Sequence, residues 1–286
     1  MEAVLQALVN GLIAGTILAL PAIGFTAIVA VLNYPNFAIG ALASFGAYGG
    51  WIANGAGLPL AAALPVAFAV AAIVAVALEW VALRPLAPHG ALSVAIASLA
   101  AGVVLENVLR FAFGNELRGY DLPLLRDVFL GPIRVGPQQA ENLALALACM
   151  ALLWAFLRFT RTGRAMRAVA DNADLARLRG VNPQRVAMVT VAVAAGLAGM
   201  GGMLVGLDTS IDPLVGPRLL LSVFAAAVLG GLGSIPGAVA GALAIGMVEE
   251  LTVLALAPAY RTVIGFLAIL LVLSLRPAGL FGVQAS

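Results

Sequence analysis

Apolar residues in this chain come in long runs, broken by brief polar or glycine–proline interruptions rather than by alternation. A helix rises about 1.5 Å per residue, so about 20 apolar residues cross the hydrocarbon of a bilayer. Runs of this kind cover Leu8–Leu32, Asn36–Ala53, Leu60–Leu83, Ala91–Phe113, Glu141–Leu157, Val186–Leu207, Ala238–Ala257 and Tyr260–Leu275. The period-two alternation of a membrane β-barrel is missing. The pattern predicts an all-α, polytopic membrane helical bundle of eight or nine spans, one transmembrane domain over residues 1–286. Turn chemistry marks the joints: Asn33-Tyr34-Pro35 after the first span, Arg84-Pro85 ending the third, Pro88-His89-Gly90 before the fourth.

The count depends on one stretch. Leu219–Leu229 is short for a span and runs into a glycine cluster from Gly230 to Gly237. Two readings stay open. It is a broken or re-entrant element, tolerated only against protein or a water-lined cavity, which would put Gly233 and Ser234 at a pathway. Otherwise it is a short tilted span ending in an ordinary turn.

Two polar stretches stand out. Residues 114–139 balance Arg118, Arg126 and Arg134 against Glu116, Asp121 and Asp127, which suits an outer loop. Residues 158–185 instead hold seven arginines against Asp171 and Asp174. Clustered arginine is costly to translocate, so this island should face the cytoplasm. It also has internal structure. A helix is expected from Gly163, with Met166, Val169, Ala173 and Ala176 on one apolar stripe and Arg164, Arg167, Asp171 and Asp174 off it. Asp171-Asn172 can break it into two short helices, Gly180 suits a C-terminal cap, and Asn182-Pro183 reads as N-cap and first residue of the next helix. A solvated loop would account for the arginines, but not for the stripe and caps.

Composition narrows the chemistry. Charged residues make up 10% of the chain and mean hydropathy is +1.09, which excludes a soluble domain. All fifteen basic residues are arginine, so neither a P-loop lysine nor a Schiff base is present. One cysteine, Cys149, and one histidine, His89, exclude an intrachain disulfide and a cysteine–histidine metal cluster. The net charge of +2 is concentrated in the island, which gives no basis for nucleic-acid binding. The N-terminus lacks the basic region of a leader, so the first span is read as starting outside.

Charges inside the spans are few. Glu106 and Arg110 stand four apart in the favourable order for a helix pair. Glu79, beside Trp80, is read as interfacial. Glu249 and Glu250 fall near the middle of their run, where an ionisable group is a pathway candidate unless a tilt carries it to the surface. Gly11/Gly15, Gly46/Gly50, Gly202/Gly206 and Gly233/Gly237 have the spacing of close helix contacts.

GRAMRAVADNADLARLRGVNPQRV, AVLGGLGSIPGAVAGALAIG and the closing LRPAGLFG resemble the permeases of branched-chain amino acid ABC importers. The block NGLIAGTILALPAIGFTAIVAVLNYPNFAIGA extends the resemblance over almost the whole chain, in order, and it looks like the shorter of the two paired permeases. The resemblance implies a multi-pass protein of the bacterial inner membrane, working with a second permease, two cytoplasmic ATPases and an external solute-binding protein. ATP and Mg would sit on those ATPases, with no cofactor, metal or catalysis in this chain. The island would be the coupling segment in an ATPase groove. Gly163, Arg164, Ala168, Ala176, Gly180 and Asn182 match the motif, Asp171 and Asn172 lie within it, Arg164 and Arg167 would anchor by charge, and the stripe would supply burial. One departure concerns the pathway. After Asn36 and Phe37 such permeases carry His-Gly, and Ile39 here replaces that histidine. Asn36, Phe37, Ile39, Gly233, Ser234 and Glu249 are the pathway candidates. The default solute is a branched-chain amino acid, with amides, urea or aromatic acids as related possibilities. The competing class is a proton-coupled carrier using Glu249 or Glu250, which has no use for a capped docking segment.

Overall fold

The computed structural model describes residues 2–122, 128–130, 133–255, 261–275 and 279–281. Helix α1 (Glu2–Leu32) is followed by α2 (Ile39–Gly55) and α3 (Leu60–Leu78). The third run does not stop at Arg84-Pro85. It continues through a π turn (Glu79–Leu83), the single turn α4 (Arg84–Leu86) and a 3₁₀ turn to His89. In the π turn the Arg84 amide donates to the Glu79 carbonyl, five residues back. That widening takes up the ring of Pro85, which a regular helix would press against a carbonyl. Then come α5 (Ala91–Phe113), α6 (Pro137–Phe159), α7 (Arg161–Asp171), α8 (Ala173–Leu178), α9 (Pro183–Asp208), α10 (Val215–Gly230), α11 (Ile235–Ala255) and α12 (Arg261–Leu275).

Six of these are long and apolar enough to cross a membrane: α1, the continuous Leu60–His89 helix, α5, α6, α9 and α11. The all-α expectation has one small exception. In the loop between α5 and α6, β1 (Val128–Leu130) pairs antiparallel with β2 (Ile133–Val135). Arg126 and Asp127 of that loop, residues 256–260 and the arginine–proline step at 276–277 lie outside the described residues.

Helix α1 is the axle of the bundle. From Gly15 to Ile28 every residue is buried, against α11, α9 and α10. Its sequence there is small and apolar on all sides, as a helix surrounded by helices requires. Helices α5 and α6 instead expose large side chains such as Val104, Phe111, Leu147 and Leu152, an outer layer for lipid or another membrane subunit.

The inner helices meet backbone to backbone. A Cβ on Gly46 would lie 2.1 Å from the Gly199 Cα, and one on Gly202 2.2 Å from the Ala43 carbonyl oxygen. Two positions therefore fix α2 against α9 with no side chain between them. Hydroxyls buried in this core bond mostly within their own helices: Thr16 donates to the Leu12 carbonyl at 2.7 Å and Thr190 to Val186 at 2.8 Å.

The connections lie at the two ends of the bundle. At one end, the described part of the 114–139 loop closes over α2. The Trp51 indole donates to the Gly119 carbonyl at 3.0 Å, Tyr120 Oη to the Ala47 carbonyl at 2.7 Å, and the Arg118 guanidinium sits 4.7 Å above the Trp51 ring. The Arg118 backbone pairs with Ile211. At the other end, α7 and α8 lie against the end of α1.

Overpacking this helix contact should be severe. Gly46→Val is expected to lower the thermal unfolding midpoint in detergent by several degrees or abolish monodisperse protein, a cost of about 1–3 kcal/mol or more. Gly55→Ala, where an added Cβ meets nothing within 4 Å, should leave the midpoint unchanged.

Candidate functional site

The arginine island folds as an elbow of two short helices. Helix α7 starts at Arg161, two residues earlier than the sequence suggests, because Thr160 is its cap. The Thr160 hydroxyl accepts from the Gly163 amide at 2.9 Å and donates to the Phe156 carbonyl at 2.7 Å, tying the elbow to the end of α6. Gly163 is thus inside the first turn. A Cβ there would lie 2.4 Å from the Phe156 oxygen and 2.5 Å from the Leu157 Cα. Only glycine lets α7 fold back this closely on α6.

The remaining caps fall where local chemistry places them. Asn172 Oδ1 accepts from the Asp174 and Leu175 amides at 3.1 and 2.9 Å and starts α8. Gly180 has φ +82°, and the Val181 and Gly180 amides return to the Ala176 and Arg177 carbonyls at 3.1 and 3.0 Å. This is the Schellman closure that a left-handed residue permits. Asn182 Oδ1 then caps α9, accepting from Gln184 and Arg185, with Pro183 in the first turn.

The apolar stripe has a different partner from the one expected. Met166, Val169 and Ala176, each 4% exposed, are buried against Val31 and Val186, with Leu32, Phe156 and Leu157 around them. The stripe therefore fastens the elbow to its own helices and is not free to fill a groove on another protein. The outward surface includes Arg164, Arg167, Ala168, Asp171 and Asn172 on α7 and its end, and Leu175, Leu178 and Gly180 on and after α8. Leu175 and Leu178, three apart, are 61% and 82% exposed. They are an exposed apolar pair on the arginine-rich elbow, and neither was singled out by sequence.

Among the pathway candidates, Asn36, Phe37 and Ile39 stay together at the start of α2. Asn36 is 1% exposed and accepts from the Ala38 amide at 3.0 Å; Ile39 is also 1% exposed. Half-buried Phe37 meets Phe25 and Phe224 with ring centroids 6.0 and 5.9 Å apart. Gly233 and Ser234 are elsewhere, in the turn joining α10 to α11. Gly233 has φ +94°, and Ser234 Oγ accepts from the Gly237 amide at 3.2 Å. This is a tight turn between antiparallel helices. Glu249 lies fourteen residues into α11, roughly 20 Å along its axis, where Ser222 Oγ of α10 donates to it at 2.5 Å.

The interrupted backbone lies at the opposite end of α10 from the glycine cluster. Ser44 Oγ donates to the Pro213 carbonyl at 3.1 Å and accepts from the Gly216 amide at 2.9 Å, and Gly216 touches Gly40. So α10 begins level with the first turns of α2, inside the bundle. Ile211 and Asp212, ahead of it, are buried, and Asp212 receives Arg218 at 2.8 Å. Glu79, read as interfacial from its place beside Trp80, is enclosed by the protein. It is 4% exposed and accepts from Tyr34 Oη at 2.6 Å. Glu106 and Arg110 do pair, at 2.6 Å.

A family model described as branched-chain amino acid transport system, permease component, matches residues 7–273. The high-affinity branched-chain amino acid transport system permease protein LivH of Escherichia coli is 33% identical over 97% of this chain and 95% of its own length. LivH of Salmonella typhimurium is 34% identical with the same coverage, and BraD of Pseudomonas aeruginosa is 30% identical. Among solved structures, PsaBC from Streptococcus pneumoniae in complex with Fab superposes with a TM-score of 0.52. It is 12% identical and covers 96% of this chain and 94% of its own, a likeness of fold.

The caps give a direct test of the elbow. Asn172→Ala should cost about 1 kcal/mol of local stability. Amide exchange at Asp174 and Leu175 is then expected to speed up by roughly fivefold, as read by hydrogen–deuterium exchange, with no change in α9.

Proposed function

The chain belongs to the branched-chain amino acid transport permease family, and from that premise we propose that it forms half of the path by which a branched-chain amino acid is imported. It is the permease component of an ABC system and is not itself an enzyme. The path is completed by a second permease, and two cytoplasmic ATPases carry the ATP and Mg. An external solute-binding protein delivers the solute at the end closed by the 114–122 loop.

The observation that carries this reading is the fastened elbow. A loop meant only to stay in the cytoplasm needs arginines; it does not need four side-chain or glycine caps and a buried stripe. With the stripe committed internally, the ATPase meets the other face. Leu175 and Leu178 fill a shallow apolar recess, and Arg164 and Arg167 make charge-assisted hydrogen bonds around it. Arginine clustering assigns this end to the cytoplasm. With α2, α10 and α12 added to the six long spans, nine helices enter the membrane, α10 starting within the bundle.

Ile39 lies in the chain's own core, so the family histidine's replacement does not alter an exposed wall. The half-buried rings of Phe37 and Phe224 are the pathway surface we assign, apolar as a branched aliphatic solute requires.

Replacing Leu178 by Glu and, separately, Arg164 by Glu should each remove the ATPases from the purified complex and cut uptake of labelled leucine into proteoliposomes by tenfold or more, while membrane insertion is retained. Stoichiometric co-purification of both variants with the ATPases would defeat the docking assignment. Gly163 is unsuitable here, since its substitution breaks the α6–α7 joint itself.

A further inference from the structure

Between the elbow and the α3–α4 joint lies a cavity of about 560 Å³ that the coupling role does not use. Its lining has two characters. Val31, Val169 and Met188 are apolar, whereas Glu79, Arg84 and Arg177 carry both signs of charge. Glu79 is the unusual member. Tyr34 satisfies Oε1, but Oε2 is buried with no hydrogen-bond partner among the described residues. A carboxylate oxygen left in that state is costly, and a small turn of the side chain toward the cavity would let a ligand's donor relieve it. Among the described residues the Arg84 guanidinium makes one hydrogen bond, Nη2 donating to Gln184 Oε1 at 3.1 Å. A guanidinium has five N–H donors, so it retains capacity for an anion. Arg177 approaches from α8, across the cavity.

These groups select a ligand by charge. A simple anion is opposed by Glu79 and a simple cation by the two arginines. A zwitterion with an apolar side chain suits all of the lining at once. We propose that this cavity binds the head of an apolar α-amino acid, its ammonium at Glu79 and its carboxylate at Arg84 and Arg177, with the side chain against Val31, Val169 and Met188. The identity of the ligand rests on the branched-chain reading; the site itself rests on the cavity and its charges. Because Arg177 belongs to the elbow and Glu79 to the α3 helix, an occupant clamps the two together. Solute accumulated on this side then slows ATP-driven turnover.

The test uses the assembled importer in detergent without its solute-binding protein, with radiolabelled leucine as the probe. Saturable binding is expected, weakened roughly tenfold or more by Glu79→Gln and by Arg84→Gln, each of which removes one charge-assisted contact. Gln at 79 still accepts from Tyr34, so the fold has no reason to fail. Leucinamide, lacking the carboxylate, and 4-methylpentanoate, lacking the ammonium, should compete at least tenfold less well than leucine. In Glu79→Gln the preference for leucine over 4-methylpentanoate should vanish. Absence of saturable binding at millimolar leucine, or binding that both variants leave unchanged, overturns the site. Uptake by the complete system, measured in parallel, separates the two readings: leucine uptake without this binding removes the site alone, and no leucine uptake removes the branched-chain assignment.

Discussion

The coupling role proposed for the elbow depends on Met166 and Val169 being buried against Val31 and Val186. Full burial of an apolar side chain contributes about 1.5–3 kcal/mol, so the pair and its neighbours hold α7 firmly to the ends of α1 and α9. The Thr160 cap and the close approach of Gly163 fix the same helix to α6. Force applied to the exposed side of the elbow is thereby delivered to three membrane helices at once. A solvated loop would absorb that force in its own dihedrals. Burying the stripe inside the chain also explains why the outer face can be so polar: it need not supply the elbow's own stability.

Force arriving at α1 and α9 meets a core with little give. Where Gly46 faces Gly199 and Gly202 faces Ala43, there are no rotamers to repack, so α2 and α9 shift together or separate. Helix α10 is held differently. Its first turn hangs from the Ser44 hydroxyl through Pro213 and Gly216, and its last ends at Gly231, with φ +101°. Close backbone contacts hold it as well, Gly216 on Gly40 and, toward its end, Ala226 and Gly230 on Gly241 and Gly237. The Phe224 ring lies between them, against Phe25 and Phe37. The surface assigned to the solute is thus carried on an inner helix fixed at both ends, next to those that receive the drive.

Local chemistry made the elbow legible in sequence, and its tertiary partners were hidden. Asn172, Gly180 and Asn182-Pro183 act through groups within a few residues, so their caps could be read directly. The stripe of Met166, Val169 and Ala176 announces that a face is buried, yet periodicity says nothing about what buries it. That is why its partner was misplaced. Thr160 was legible in principle, a hydroxyl three residues before Gly163, but the glycine drew the helix start forward. The glycine cluster at 230–237 left a backbone break and an ordinary turn both open, because glycine permits either. The structure spends those residues on a turn and a close contact, and puts the break at 209–214, where Ser44, far away in sequence, supplies the missing bonds. Pro85 failed as a stop because the π turn before it accommodates the ring, a feature with no sequence signature. The order of the apolar helices was readable, and among the described residues six of them are long enough to cross a membrane, since apolar run length is a property of the chain alone.

Glu79 shows how position and electrostatics are linked at the coupling end. In a medium of low dielectric, the energy of a charge depends steeply on the distance to its neighbours. One of its oxygens is held by Tyr34, on the segment joining α1 to α2, and Arg84 follows one turn later on the same continuous helix. The other charge lining the space, Arg177, rides on the elbow. Displacing the elbow changes that separation and the water admitted to the cavity, and with them the free energy of the carboxylate. A buried acid facing a moving cation is therefore never a neutral bystander. It biases the elbow toward arrangements that keep positive charge near, and any drive that lifts α8 away works against that bias.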